Sequence, residues 1–94
     1  MKGFREWPGY HGAFTRDQAD GAIPNGETIV KMKSEEGDTH PDGTLGKVLG
    51  SIDAEAIDPS LARKFGTRFF YFIEWQPRPG LAVGVAGFKI ARVS

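Results

Sequence analysis

The chain has 94 residues, enough for one independently folding domain and too few for a second core. Twelve Lys and Arg balance twelve Asp and Glu, so no global basicity points to nucleic acid or an anionic membrane. The absence of cysteine excludes a disulfide framework, a thiolate nucleophile and any cysteine-held metal.

The neutrality is uneven. Residues 1–25 balance, residues 26–60 hold three cations against eight acids for a net −5, and residues 61–94 hold six cations against Glu74 alone for a net +5. The N-terminus lacks the apolar run of a secretory signal, and no apolar stretch is long enough to cross a membrane. A soluble, cytoplasmic protein that stays off the membrane is therefore expected.

Thirteen glycines and six prolines fall between short apolar runs, which reads as strands and turns. Residues 1–25, with Gly at 3, 9, 12 and 21 and Pro at 8 and 24, show neither helical nor strand periodicity and read as an irregular arm. Phe4, Trp7, Tyr10 and Phe14 are too many aromatics for a disordered tail, so part of the arm is expected to lie on the domain formed by 26–94. After the Pro24-Asn25-Gly26 turn, residues 28–33 read as a half-buried strand with Thr28, Val30 and Met32 on one face. Lys31 and Lys33 take the other face, and Ile29 breaks the alternation. Ser34 to Gly43, with four acids, two glycines, His40 and Pro41, reads as a long exposed loop. Residues 46–52 resume a strand.

Asp58-Pro59-Ser60-Leu61-Ala62-Arg63-Lys64-Phe65-Gly66 is the clearest local signal. Asp58 suits the N-cap, Pro59 the first helical position, Arg63 and Lys64 the negative end, and Gly66 the left-handed cap. A helix of about two turns over 59–65 follows, too short to survive without Leu61 and Phe65 packing onto the strands. Asp53–Ile57 adds a preceding turn. Arg68–Trp75 is the strongest strand, apolar on both faces, which predicts a central strand covered outside by the arm or the helix. Residues 81–86 and 88–93 complete five strands, with Gly84 and Gly87 as bends.

Five short strands with one helical segment suggest an all-β small barrel, because closure hides the sheet edges. Gly43-Thr44-Leu45-Gly46-Lys47-Val48 resembles the second half of a KOW-type motif, G-x-x-G-x-V. Tyr71-Phe72-Ile73-Glu74-Trp75 resembles the Y-x-V-x-W/F strand of SH3-like barrels, and Phe88-Lys89-Ile90 resembles their closing strand. The acidic 34–42 loop departs from a KOW loop, which is shorter and usually basic. With its His40-Pro41 element the pattern is similar to the SH3-like barrels of electron-transfer accessory proteins and of the nitrile hydratase β subunit. The resemblance covers residues 26–94 and implies an SH3-like five-stranded fold. KOW kinship implies RNA contact.

His40 stands between Asp38 and Asp42, but one His without a D-x-D-x-D-G loop and distal Glu is a poor metal site, so a solvated turn and no metal or other cofactor are expected. The carboxylates at 35, 36, 53, 55 and 58 show no convergence across a pocket, and no G-x-S-x-G, P-loop or Cys–His pair occurs, so no enzyme is expected. The aromatics are the stronger candidates. Trp7, Tyr10 and Trp75, with Arg68 and Arg78 as nearby cations and His40 beside them, form the candidate binding set, weighed against plain core packing for Phe69, Tyr71 and Ile73. The expected function is a non-enzymatic interaction or accessory module with a protein partner. Nucleic-acid binding through the basic C-terminal third is the alternative, and a small metal-dependent enzyme the remaining one.

Overall fold

A computed structural model describes residues 3–38 and 40–93 of the chain. The first two residues of the arm, Thr39 in the 34–43 loop, and Ser94 lie outside the described residues. Two short strands, β1 (Phe4–Glu6) and β2 (Ala13–Thr15), form an antiparallel hairpin. The main sheet comprises β3 (Thr28–Lys31), β4 (Leu45–Asp53), β5 (Phe69–Trp75), β6 (Ala82–Ala86) and β7 (Ile90–Arg92), all antiparallel in the order β6-β5-β4-β3-β7. Helices α1 (Ala54–Ile57) and α2 (Pro59–Phe65) join β4 to β5, and a 3-10 turn over Gly87–Lys89 joins β6 to β7. The all-β class, the five strands of the domain and the helix over 59–65 are as the sequence predicts.

The sheet curls. The two outermost strands of a flat five-stranded sheet stand about 19 Å apart, yet Val85 of β6 and Ile90 of β7 belong to one core with Ile29, Val48, Tyr71, Ile73 and Trp75. The bend is carried by β4, nine residues long, whose register to β5 slips between Val48 and Gly50. A bulge there adds a residue to one strand and increases its local twist. β5 pairs with β4 from Gly46 to Asp53, whereas β3 pairs only with its first three residues, Leu45, Gly46 and Lys47.

The helix signals act as read. The Asp58 carboxylate accepts from the Ser60 amide at 3.0 Å, Pro59 opens α2, and Gly66 closes it at φ 67°. Asp53 caps α1 by accepting from the Glu55 and Ala56 amides. The outer face of β5 is covered from both sides: Phe65 of α2 meets Phe70 edge-on at 5.4 Å, and Phe4 and Phe14 of the hairpin lie 5.5 and 6.1 Å from Phe72.

Two expectations are corrected. Residues 4–15 of the arm form the β1–β2 hairpin instead of irregular chain, and Phe14 and Thr15 are buried. Three-residue strands flanked by glycines are too short to show a period, which hides them from pattern reading. Beyond β2 the chain is irregular but tied down: Ser51 donates to the Asp17 carbonyl at 2.8 Å, and Ile23 donates to the Tyr71 hydroxyl at 3.0 Å.

The faces of β3 are also the reverse of those expected. Ile29 is fully buried, and the two-residue side-chain period then turns Lys31 inward with it. Met32 lies beyond the strand at 57 % exposure. A lysine fits this inner position because an acid meets it there.

Candidate binding surface

The acid is Asp38. Lys31 Nζ lies 3.3 Å from its carboxylate, and Lys89 Nζ reaches both oxygens at 3.0 and 3.1 Å. The Glu35 amide donates to the same group at 2.9 Å. That amide, with the Lys89 and Lys31 ammoniums, holds the Asp38 carboxyl far below the usual carboxylate range. The 34–43 loop is thus pinned to β3 and to the turn before β7.

Pinning the loop carries His40 inward. Its ring is 5 % exposed and lies 5.4 Å from the indole of Trp75, with Lys31 Nζ 5.6 Å from that same indole. Burial first, and then the positive charges of Arg78 and Lys31, depress the imidazole below its ordinary value, so it is neutral at physiological pH. Its Nε2 has no hydrogen-bond partner among the described residues. The expectation of a solvated turn at His40 is therefore corrected: Glu35, Glu36, Pro41 and Asp42 are exposed while His40 is interior. The three polar side chains once grouped there diverge. Asp38 is spent on the two lysines, Asp42 accepts from the Ser34 amide at 2.7 Å, and His40 packs against Trp75 with the rings tilted by 43°. Among the described residues no three His, Asp or Glu side chains gather closely enough to share a metal ion.

Trp75, at 1 % exposure, is a core residue and offers no free face for a ligand. Its place at the end of β5 suggests a binding tip, but the curl of the sheet and His40 close over it. Arg78 is exposed on the β5–β6 turn. Arg68 is exposed too, and its guanidinium is engaged by Asp53 through Nε and Nη2 at 3.2 and 3.0 Å. That pairing raises Arg68 and lowers Asp53 from their ordinary values.

Trp7 and Tyr10 stand apart from these residues, on the segment between β1 and β2. The Trp7 Nε1–H donates to the Phe14 carbonyl at 2.8 Å, fixing the indole across the hairpin. The Tyr10 hydroxyl faces Glu74 at 3.4 Å, and the other Glu74 oxygen accepts from the Gly80 amide at 2.8 Å. Two arginines complete the cluster. The Arg5 guanidinium sits 4.0 Å from the centre of the Trp7 indole, and that of Arg16 sits 5.6 Å from Trp7 and 5.5 Å from Tyr10. Among the described residues neither arginine has a carboxylate within 4 Å. Sequence reasoning missed both, although Arg5 and Trp7 stand two apart, the spacing that puts side chains on one side of a strand.

The six candidates thus divide. Trp75 and His40 belong to the interior, Arg68 to a helix cap and Arg78 to an open turn, while Trp7 and Tyr10 form a surface cluster with Arg5 and Arg16. Comparison of the chain with models of known protein families, with characterised proteins and with solved structures finds no match.

Proposed function

We propose that this domain is an SH3-like barrel serving as a non-enzymatic interaction module, and that it holds an acidic segment of a protein partner against the β1–β2 hairpin. The wiring suits that fold: four strands run as a meander, and β7 returns beside β3, as closure of a small barrel requires.

The observation that carries the reading is the pair of guanidiniums around Trp7. An arginine stacked on an aromatic face keeps its N–H edge for other work, and that edge matches a carboxylate in two-point geometry. Stacking also limits the freedom that the side chain would lose on binding.

The nucleic-acid alternative finds less support. Base stacking needs an open aromatic face, whereas Trp75 is buried and Trp7 is covered by Arg5. Three of the six cations of the basic C-terminal third are already engaged: Arg68 by Asp53, Lys89 by Asp38 and Arg92 by Glu27.

The test is affinity capture from cells that express the protein natively, comparing wild type with an Arg5→Gln/Arg16→Gln double variant. Recovery of an acidic protein by wild type and its loss from the variant supports the reading. Identical recovery by both overturns it, as does binding of single-stranded RNA with an affinity that falls steeply with salt.

A further inference from the structure

We infer that β6 is a self-pairing edge, through which two copies of the chain join in antiparallel register about Gly84. The main sheet ends on β6 at one side and on β7 at the other. Edges that stay unpaired are blunted by shortness, charge or proline. β7 is blunted: it has three residues and ends on Arg92, which is held by Glu27. β6 is not. It runs for five residues, all paired to β5 on one side, and residues 80–88 contain neither a charge nor a proline. Among the described residues, no main-chain hydrogen bond outside the strand pairs involves residues 82–86.

The sequence of β6 identifies the occupant. Ala82-Val83-Gly84-Val85-Ala86 reads the same in both directions. When two such strands meet antiparallel about a two-fold axis at Gly84, Ala82 stands opposite Ala86 of the second copy, Val83 opposite Val85, and Gly84 opposite itself. About that axis an isologous contact sets small residue against small and valine against valine at every position, with no bulky or charged side chain to clash. The faces also agree. Val83 and Val85 pair with Ile73 and Tyr71 on the core side, so the valines of the two copies meet on that side. The outer side presents only Ala, Gly and Ala, which leaves room for close approach. A slip by one residue would set valine against the outer face, so the pattern selects its register.

The ladder is bounded at both ends. His11 bridges to Leu81 and donates to the Gly80 carbonyl at 2.8 Å just before β6, and the 3-10 turn leads the chain away after Ala86.

Sedimentation velocity over a concentration series tests the proposal. Wild type is expected to show a monomer–dimer equilibrium. Gly84 has ordinary backbone geometry, and a Cβ there meets only Phe72 Cε1 at 3.8 Å, so Gly84→Lys and Gly84→Glu are compatible with the fold. Each alone sets like charges face to face across the axis and is expected to weaken association roughly tenfold or more. An equimolar mixture of the two is expected to recover the dimer, because Lys then opposes Glu. A wild type that is monomeric throughout, a dimer indifferent to Gly84→Lys, or a mixture that stays monomeric would each overturn the inference.

Discussion

The hairpin depends on one glycine of β4. A Cβ at position 50 would fall on the Thr15 carbonyl oxygen and stand 2.8 Å from the Thr15 carbonyl carbon and 2.9 Å from Arg16 Cα. All three neighbours are main chain, so no side chain can swing aside. The carbonyl oxygen is the limiting neighbour, and restoring an ordinary contact of about 3.3 Å to it requires β4 and the chain leaving β2 to part by more than about 1 Å. The Ser51-to-Asp17 and Ala19-to-Ser51 hydrogen bonds, at 2.8 and 2.9 Å, would then be pulled beyond bonding distance. Losing two hydrogen bonds and loosening the contacts of buried Phe14 puts the cost of Gly50→Ala at about 2–4 kcal/mol. Urea unfolding followed by far-ultraviolet circular dichroism measures that loss. Trp7 rides on the hairpin and Trp75 sits in the core, so separate Trp→Phe backgrounds tell hairpin release from global unfolding. Gly84→Ala, whose Cβ makes an ordinary contact, is the control. If Gly50→Ala loses no more than Gly84→Ala, the hairpin does not dock on β4 as described.

Other perturbations have equally definite outcomes. His40 is depressed by burial, Arg78 and Lys31, so the unfolded chain takes up its proton first; stability should be complete above the ordinary imidazole value of about 6.5 and decline as pH falls below it. His40→Phe should flatten that limb in thermal melts at stepped pH, and an unchanged profile would refute the assignment. Asp38 is depressed as well, so its contribution is present above the ordinary carboxylate value and should fade at more acid pH; Asp38→Asn should remove that lower limb and, by unpinning the loop, weaken the His40 limb as well. Asp53→Ala removes the cap of α1 as well as the Arg68 pair and should lower the denaturation midpoint clearly more than Arg68→Ala, which removes the exposed pair alone. Equal losses in denaturant titrations of the two would refute the capping role.

How far the chain was legible depended on the range of each signal. The helix over 59–65 was readable because its cap, its Pro59 and its Gly66 act within a few residues. The two apolar faces of β5 correctly announced a strand covered on both sides. The reversal of β3 shows where such reading stops: Lys31 looks like a solvent-facing residue until Asp38 and Lys89, both distant in sequence, are brought to it. His40 and Trp75 were misjudged together for the same reason, since the ion pair that folds the 34–43 loop inward buries both. Arg5 and Arg16 were missed because each needs the hairpin to bring it to Trp7.

The same folding decides what the charge split means. β3 lies between β4 and β7 and β4 lies against β5, so the acidic segment 26–60 is interleaved with the basic segment 61–94. Most of the ion pairs bridge the two: Asp38 and Glu35 to Lys89, Asp53 to Arg68, Glu27 to Arg92, and Lys47 to Glu74. Paired charges a few ångströms apart cancel beyond about a Debye length, roughly 8 Å at physiological salt, so the −5 and +5 segments generate little field for steering a partner from afar. Recognition of the proposed acidic partner would then rest on side chains whose charge is directed at short range. Around Trp7 the arginines are held by aromatic faces rather than by carboxylates, which leaves their charge available on contact. The segment whose net charge is zero thus carries the cations best placed to bind, and association through it should be slow by electrostatic standards and only weakly dependent on salt.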